Sequence, residues 1–147
     1  MTQRTAVYAI IALAIAGLID TGYLYLMRLT GDNLACSILE GCNVVAASPY
    51  SEIYGVPLSL LGIFFYAAVF GIALLFFTRH AVLARKLFYI AAAVGLILSF
   101  CFSCIQAFLI GAWCIYCLIS AAICTVLAVI AIWMWYMDRL ALRKIAT

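Results

Sequence analysis

The chain has 147 residues, 71% of them hydrophobic and 9% charged, with a formal net charge of +3. A water-soluble domain of this size does not have that composition; a polytopic membrane protein does. Seven cysteines in such a chain are not the framework of a small secreted scaffold, and the few basic residues flank apolar runs instead of forming a nucleic-acid-binding patch.

Four apolar runs reach the ~20 residues needed to cross a bilayer, roughly 6–28, 58–78, 87–110 and 114–137. They predict an all-α membrane protein, a four-transmembrane-helix bundle forming one integral membrane domain over residues 1–147. The first run follows Arg4 and contains Ala14-Ile15-Ala16, which resembles a signal-peptide cleavage site. Its apolar stretch continues well past that point, so an uncleaved span is expected. Within it, Asp20 is an intramembrane carboxylate. Such a group is costly and therefore a candidate for cofactor binding; the competing reading is a neutral carboxyl hydrogen-bonded to Thr21 or to a neighbouring helix.

Lys and Arg set the orientation. Arg4, Arg79, Arg85, Lys86, Arg139, Arg143 and Lys144 fall at the N-terminus, the second connection and the C-terminal tail, whereas Arg28 alone borders the first connection. The positive-inside rule then places both termini in the cytoplasm of a cell inner or plasma membrane. The 29–57 loop and the Gly111–Trp113 turn lie outside, so Cys36, Cys42, Cys114 and Cys117 all face the oxidising, extracytoplasmic side.

The outer loop is long for a connection without function. Cys36 and Cys42 bracket a polar stretch in it, a spacing that can close as a static staple or open for thiol exchange. Ser48 suits a helix N-cap, Pro49 the first helical position and Glu52 the positive end of the dipole, while Gly55 and Pro57 stop the turn. A short amphipathic helix over roughly Pro49–Tyr54 is expected, with Tyr50, Ile53 and Tyr54 forming an interfacial lid. The short connections among spans two to four favour an antiparallel bundle. His80, in the second connection, reads as a solvated loop residue.

Cys101-Phe-Ser-Cys104 lies inside span three, where no free N–H groups stabilise a thiolate, so packing is the expected role, with an accessory thiol near the pocket as the alternative; Cys124 reads as packing. Cys114-Ile-Tyr-Cys117 is different, because it opens span four. Unpaired N–H groups and the dipole of a helix start favour thiolates. The competing reading is again packing. Together the two outer pairs describe a relay, one dithiol facing a soluble thiol protein and the other a membrane carrier.

The order of these motifs resembles the vitamin K epoxide reductase family, specifically prokaryotic homologues without a fused thioredoxin domain. The matching residues are Cys36-x5-Cys42, Asn43-Val-Val, Ser48, Gly55-Val-Pro57, Leu61-Gly62-Ile-Phe-Phe-Tyr66 and Cys114-Ile-Tyr-Cys117. The resemblance implies a membrane thiol:quinone oxidoreductase that supports disulfide-bond formation. It implies a bundle around a quinone of the ubiquinone, menaquinone or vitamin K type, capped by the loop helix. Cys117 would deliver electrons to the quinone, Cys114 would be its disulfide partner and exchange with Cys42, and Cys36 would exchange with a separate thioredoxin-fold, DsbA-like protein. Ser48 would sit near the quinone and donate a hydrogen bond to a ring oxygen, a role that competes with capping the loop helix. The tyrosine that vertebrate members carry after the Cys-X-X-Cys is absent, since Leu118-Ile-Ser-Ala-Ala122 follows, which favours plain quinone reduction over epoxide reduction. Quinone-linked disulfide generators of the DsbB type place the Cys-X-X-Cys first in the chain, the reverse of the order here. A rival from another class is a soft-metal (Cu, Hg or Zn) binding or transport protein using the membrane cysteines; one histidine and four methionines speak against it.

Overall fold

The computed structural model describes residues 2–31, 41–78 and 81–146. Its main elements are α1 (Gln3–Thr30), α2 (Cys42–Ala47), a two-stranded hairpin of β1 (Glu52–Ile53) and β2 (Val56–Pro57), α3 (Leu58–Leu75), α4 (Ala81–Cys104) and α5 (Ile115–Ala146). A π-helical turn, Ile105–Ile110, continues α4. Among the described residues four helices, α1, α3, α4 with its π turn, and α5, are long and apolar enough to cross a membrane. The protein is a four-helix membrane bundle. α1 begins at Gln3 and α5 runs to Ala146, both beyond the expected limits. A helix does not end where the hydrocarbon does: the 28 residues of α1 rise about 42 Å, against a hydrocarbon core of about 30 Å. In α5 the helix proper starts at Ile115, so Cys114 stands just ahead of it.

Small residues set the helix spacing. α1 packs mainly on α3, and α4 on α5. The Tyr66 ring of α3 lies directly on Gly17 of α1, where any Cβ would overlap it. A Cβ on Gly62 would sit 2.6 Å from Thr21, and one on Gly95 2.6 Å from Phe65. The buried core runs through Ala6, Ile10, Ala14, Val69, Ala73, Phe88, Leu127 and Met134, toward the end of the bundle that holds both termini. That end is also tied by polar groups. Arg85 of α4 donates to Asp138 of α5 at 2.6 Å and to Gln3 of α1 at 2.9 Å, and Tyr89 donates to Asp138 at 2.9 Å.

The expected helix over Pro49–Tyr54 is not formed. The loop helix is α2, immediately after Gly41, and Pro49–Ser51 is a single 3-10 turn leading into the hairpin. Ser48 does not cap a following helix: its hydroxyl donates back to the Val45 carbonyl at 2.7 Å. Glu52 serves no helix dipole; it pairs with Arg28 at the end of α1 at 2.7 Å, and Arg28 also donates to Ser51 at 3.1 Å. Tyr54 and Gly55 both have positive φ, 51° and 80°, the mirror-image turn that joins two strands by two residues. The segment still covers the bundle, since Tyr50, Ser51 and Ile53 line the mouth of the main cavity, while Tyr54 at the tip is fully exposed. Cys36, Arg79 and His80 lie outside the described residues.

Candidate functional site

The site is assembled at the end of the bundle opposite the core. Gln106 lies in the π turn that ends α4, a local widening often found at functional positions. Its backbone carbonyl accepts from Gly111 N–H at 2.9 Å, closing the turn through a left-handed glycine (φ 68°). Its buried side-chain oxygen accepts from Cys114 N–H at 2.9 Å. The amide therefore satisfies a backbone donor that would otherwise be orphaned at the start of α5. The Cys114 carbonyl accepts from Leu118 N–H at 3.1 Å, the first intrahelical bond of α5, so Cys114 occupies its cap position.

The Cys114 sulfur receives hydrogen bonds from the Cys117 thiol and from the backbone N–H groups of Tyr116 and Cys117. Standing ahead of the span, its thiol is pulled down to about 7, first by the Cys117 hydrogen bond and then by the two N–H groups, against the opposing effect of burial. The first proton lost by this pair leaves its charge on Cys114.

Cys42 comes to the same place from the other direction. It is disulfide-bonded, whereas Cys114 and Cys117 are free thiols. Cys42 and Cys114 are 0% and 2% exposed and form one buried cluster with Tyr23, Leu24 and Met27 of α1 around them. Tyr23 packs against Tyr116 with ring centroids 5.1 Å apart and the rings tilted by 42°. Gly41 makes the approach of α2 possible: a Cβ there would lie 2.6 Å from the Trp113 carbonyl oxygen and 2.8 Å from its nitrogen. Both obstacles are backbone, so any side chain at position 41 pushes α2 off the turn that carries Cys114.

Below this cluster lies a cavity of about 580 Å³, in the size range of small-molecule sites. Its walls are largely apolar, with Leu61, Phe65, Leu98 and Phe102 among them, and a few polar groups converge on it. Cys42, Cys114, Cys117 and Ser48 are among the residues that line it. Asp20 is buried at 8% exposure with one carboxylate oxygen unpartnered, but it is not among the lining residues; its neighbour Thr21 is. Sequence reasoning missed Gln106 and Ser120, both in the cavity wall, and read Cys124, which is buried in that wall, as a packing residue. Only the first had a usable signal, an amide inside an apolar run. Cys101 is exposed on the helix surface and does not line the cavity, whereas Cys124 is buried in its wall. Among the described residues no three His, Cys, Asp or Glu side chains are gathered in a way that could hold a metal ion.

The residues matched to a known family are 8–132, and the family is the vitamin K epoxide reductase family. The thiol-disulfide oxidoreductase LTO1 of Arabidopsis thaliana is 30% identical over 112 residues, covering 71% of this chain. The chain spans only 30% of the length of that relative. With the family match extending over most of the four-helix bundle, the chain belongs to the vitamin K epoxide reductase family.

Proposed function

We propose that this protein is a membrane thiol oxidoreductase that carries electrons from an extracytoplasmic dithiol protein to a quinone. The observation that carries this reading is the burial of Cys42 against Cys114 at the edge of a cavity that Cys117 also lines. Sulfurs packed in one water-excluded cluster are placed for exchange, and the cavity next to them accepts a flat apolar ring. The fit is supported by the wall chemistry: apolar side chains against the ring faces and edges, with hydroxyl and amide groups at a few points for ring oxygens.

The proposed steps balance in atoms and electrons. A reduced thioredoxin-fold partner gives two electrons and two protons to the Cys36–Cys42 disulfide and leaves oxidised. The Cys42 thiolate attacks Cys114 of an inner disulfide and Cys117 leaves with its electron pair. Cys36 then attacks Cys42, restoring the outer disulfide and freeing Cys114. The inner dithiol now holds two electrons and two protons, which pass to the quinone as the Cys114–Cys117 bond re-forms. A disulfide at Cys42 with thiols at Cys114 and Cys117 is the oxidation pattern expected between the internal exchange and quinone reduction. In that state the Cys114 thiolate, already accepting from the Cys117 thiol, takes the Cys117 proton as Cys117 attacks the quinone, and passes it to a ring oxygen before its own sulfur closes the disulfide on Cys117. Ser48 shapes the cavity mouth. Both termini face the cytoplasm in this reading, and the cysteines face outward.

The test is quinone reduction by the purified protein in detergent, driven by a reduced thioredoxin-fold donor. Turnover is expected in the wild type and its loss in both Cys117→Ala and Cys36→Ala. With a small dithiol as donor, Cys36→Ala is expected to recover turnover and Cys117→Ala is not. Absence of turnover with ubiquinone-, menaquinone- and vitamin K-type acceptors in folded wild-type protein would overturn the reading.

A further inference from the structure

Deeper than the thiols, the cavity has a second polar spot. Cys117 and Ser120 are three residues apart on α5, so they share a face, with Ser120 about 4.5 Å further along the axis. Both line the cavity, as does Tyr66 of α3. The Tyr66 hydroxyl lies 2.7 Å from the Ser120 hydroxyl, 3.2 Å from the Ser120 carbonyl and 3.5 Å from the Cys124 sulfur. The ring behind that hydroxyl is fixed, seated on Gly17 and met edge-on by Phe65 at 5.2 Å between centroids. When Tyr66 donates to the Ser120 carbonyl or hydroxyl oxygen, the Ser120 proton is left for a group in the cavity. Ser48, at the mouth, has no such proton to offer, because its own goes to the Val45 carbonyl.

We propose that the Tyr66–Ser120 hydroxyl pair is the ring-oxygen site for the quinone, the donor set that holds one carbonyl oxygen of a 1,4-dione whose ring lies against Cys117. This deepens the function proposed above and rests on it. Two electrons leave the pair as the Cys114–Cys117 bond forms; one ring oxygen takes the proton the pair still carries, and the other takes one from solvent in place of the proton Cys114 had already released. The hydroxyl pair hydrogen-bonds the oxygen that gains negative charge and passes one of those protons, finishing with the protons it began with. Because Ser120 lies on the same helix face as Cys117, the distance between the sulfur and the donor is fixed by α5 itself, which selects the ring orientation.

The experiment uses full-length Tyr66→Phe and Ser120→Ala, with two readouts. In the first, a short-chain ubiquinone labelled with carbon-13 at a ring carbonyl is bound to the disulfide form of the protein, and its carbonyl stretch is recorded by infrared difference spectroscopy. A hydrogen-bonded, down-shifted band is expected in the wild type, moving back toward the unbonded position in both variants. In the second, stopped-flow reduction of the same quinone by the dithiol form is expected to slow about 100-fold in Tyr66→Phe, the lower end of the scale for losing one preorganised oxyanion donor. Reduction of the inner disulfide by dithiothreitol is expected to keep its wild-type rate. Tyr66→Phe keeps the ring that seats on Gly17; if it does not fold, Ser120→Ala decides alone. Wild-type carbonyl bands and quinone rates in the variants would overturn the ring-oxygen site while leaving the proposed function standing. A wild type that neither binds nor reduces quinone would overturn both.

Discussion

The two ends of the bundle are built to opposite rules. At the end that carries the termini, alanine, isoleucine and phenylalanine close-pack, and Arg85 ties three helices through Asp138 and Gln3. At the cysteine end the helices enclose a cavity of about 580 Å³, and the polar groups face inward. The difference is one of division of labour. Close packing at one end fixes the helices, so the other can leave space for a ligand and hold the Cys114 sulfur with backbone groups that packing has set in place.

Substitutions that respect one end and damage the other test this division. The largest effect is expected from Gly41→Val, which drives a side chain into the Trp113 backbone and moves Cys42 away from Cys114. A displacement of about 1 Å at reacting atoms can lower a rate about 100-fold. Transfer from the partner protein to the quinone should fall on that scale, while quinone reduction from a dithiothreitol-charged inner pair stays near wild type. Next comes pH. A Cys114 thiol at about 7 is protonated below that value and cannot take the Cys117 proton. Single-turnover quinone reduction should therefore rise roughly tenfold per unit in the acid range, as for a single titrating group, and level off above about 7. A flat profile from pH 5 to 9 would break this assignment. Gln106→Leu should do less. It removes the acceptor from Cys114 N–H at a cost of about 1–3 kcal/mol, lowering the rate several-fold and destabilising the protein. The smallest effect on chemistry is expected from Arg85→Ala, at the packed end. Thermal unfolding should shift down by an amount equivalent to about 1–2 kcal/mol for a partly exposed charge-assisted pair, with turnover at 25 °C within twofold of wild type.

Much of this architecture is written locally in the chain, and the parts that are not depend on contacts between distant residues. The spans follow from uninterrupted apolar runs, and the candidate pair Cys114 and Cys117 from its spacing and its position at a helix start. The loop misleads for a specific reason. Ser48, Pro49 and Glu52 carry helix-start chemistry, but Glu52 is taken by Arg28, 24 positions earlier, and Ser48 turns back to Val45. α2 forms instead behind Gly41, which has no capping side chain and owes its place to the close approach to Trp113. The Tyr66–Ser120 contact joins residues 54 positions apart and has no local sequence signature. Gln106 and Asp20 are both polar groups within apolar runs; sequence singles out Asp20, yet it is Gln106 that holds Cys114, because the π turn aims it there.

The measurement that tests the central claim most directly is a trapping experiment on the two buried sulfurs. In a Cys36→Ser, Cys117→Ser double variant, both resolving partners are removed. Under mild oxidation in detergent the account predicts an intramolecular Cys42–Cys114 disulfide in most molecules, identified by mass spectrometry of the proteolysed, alkylated protein. A folded variant in which Cys42 and Cys114 are recovered as separate alkylated thiols would contradict it.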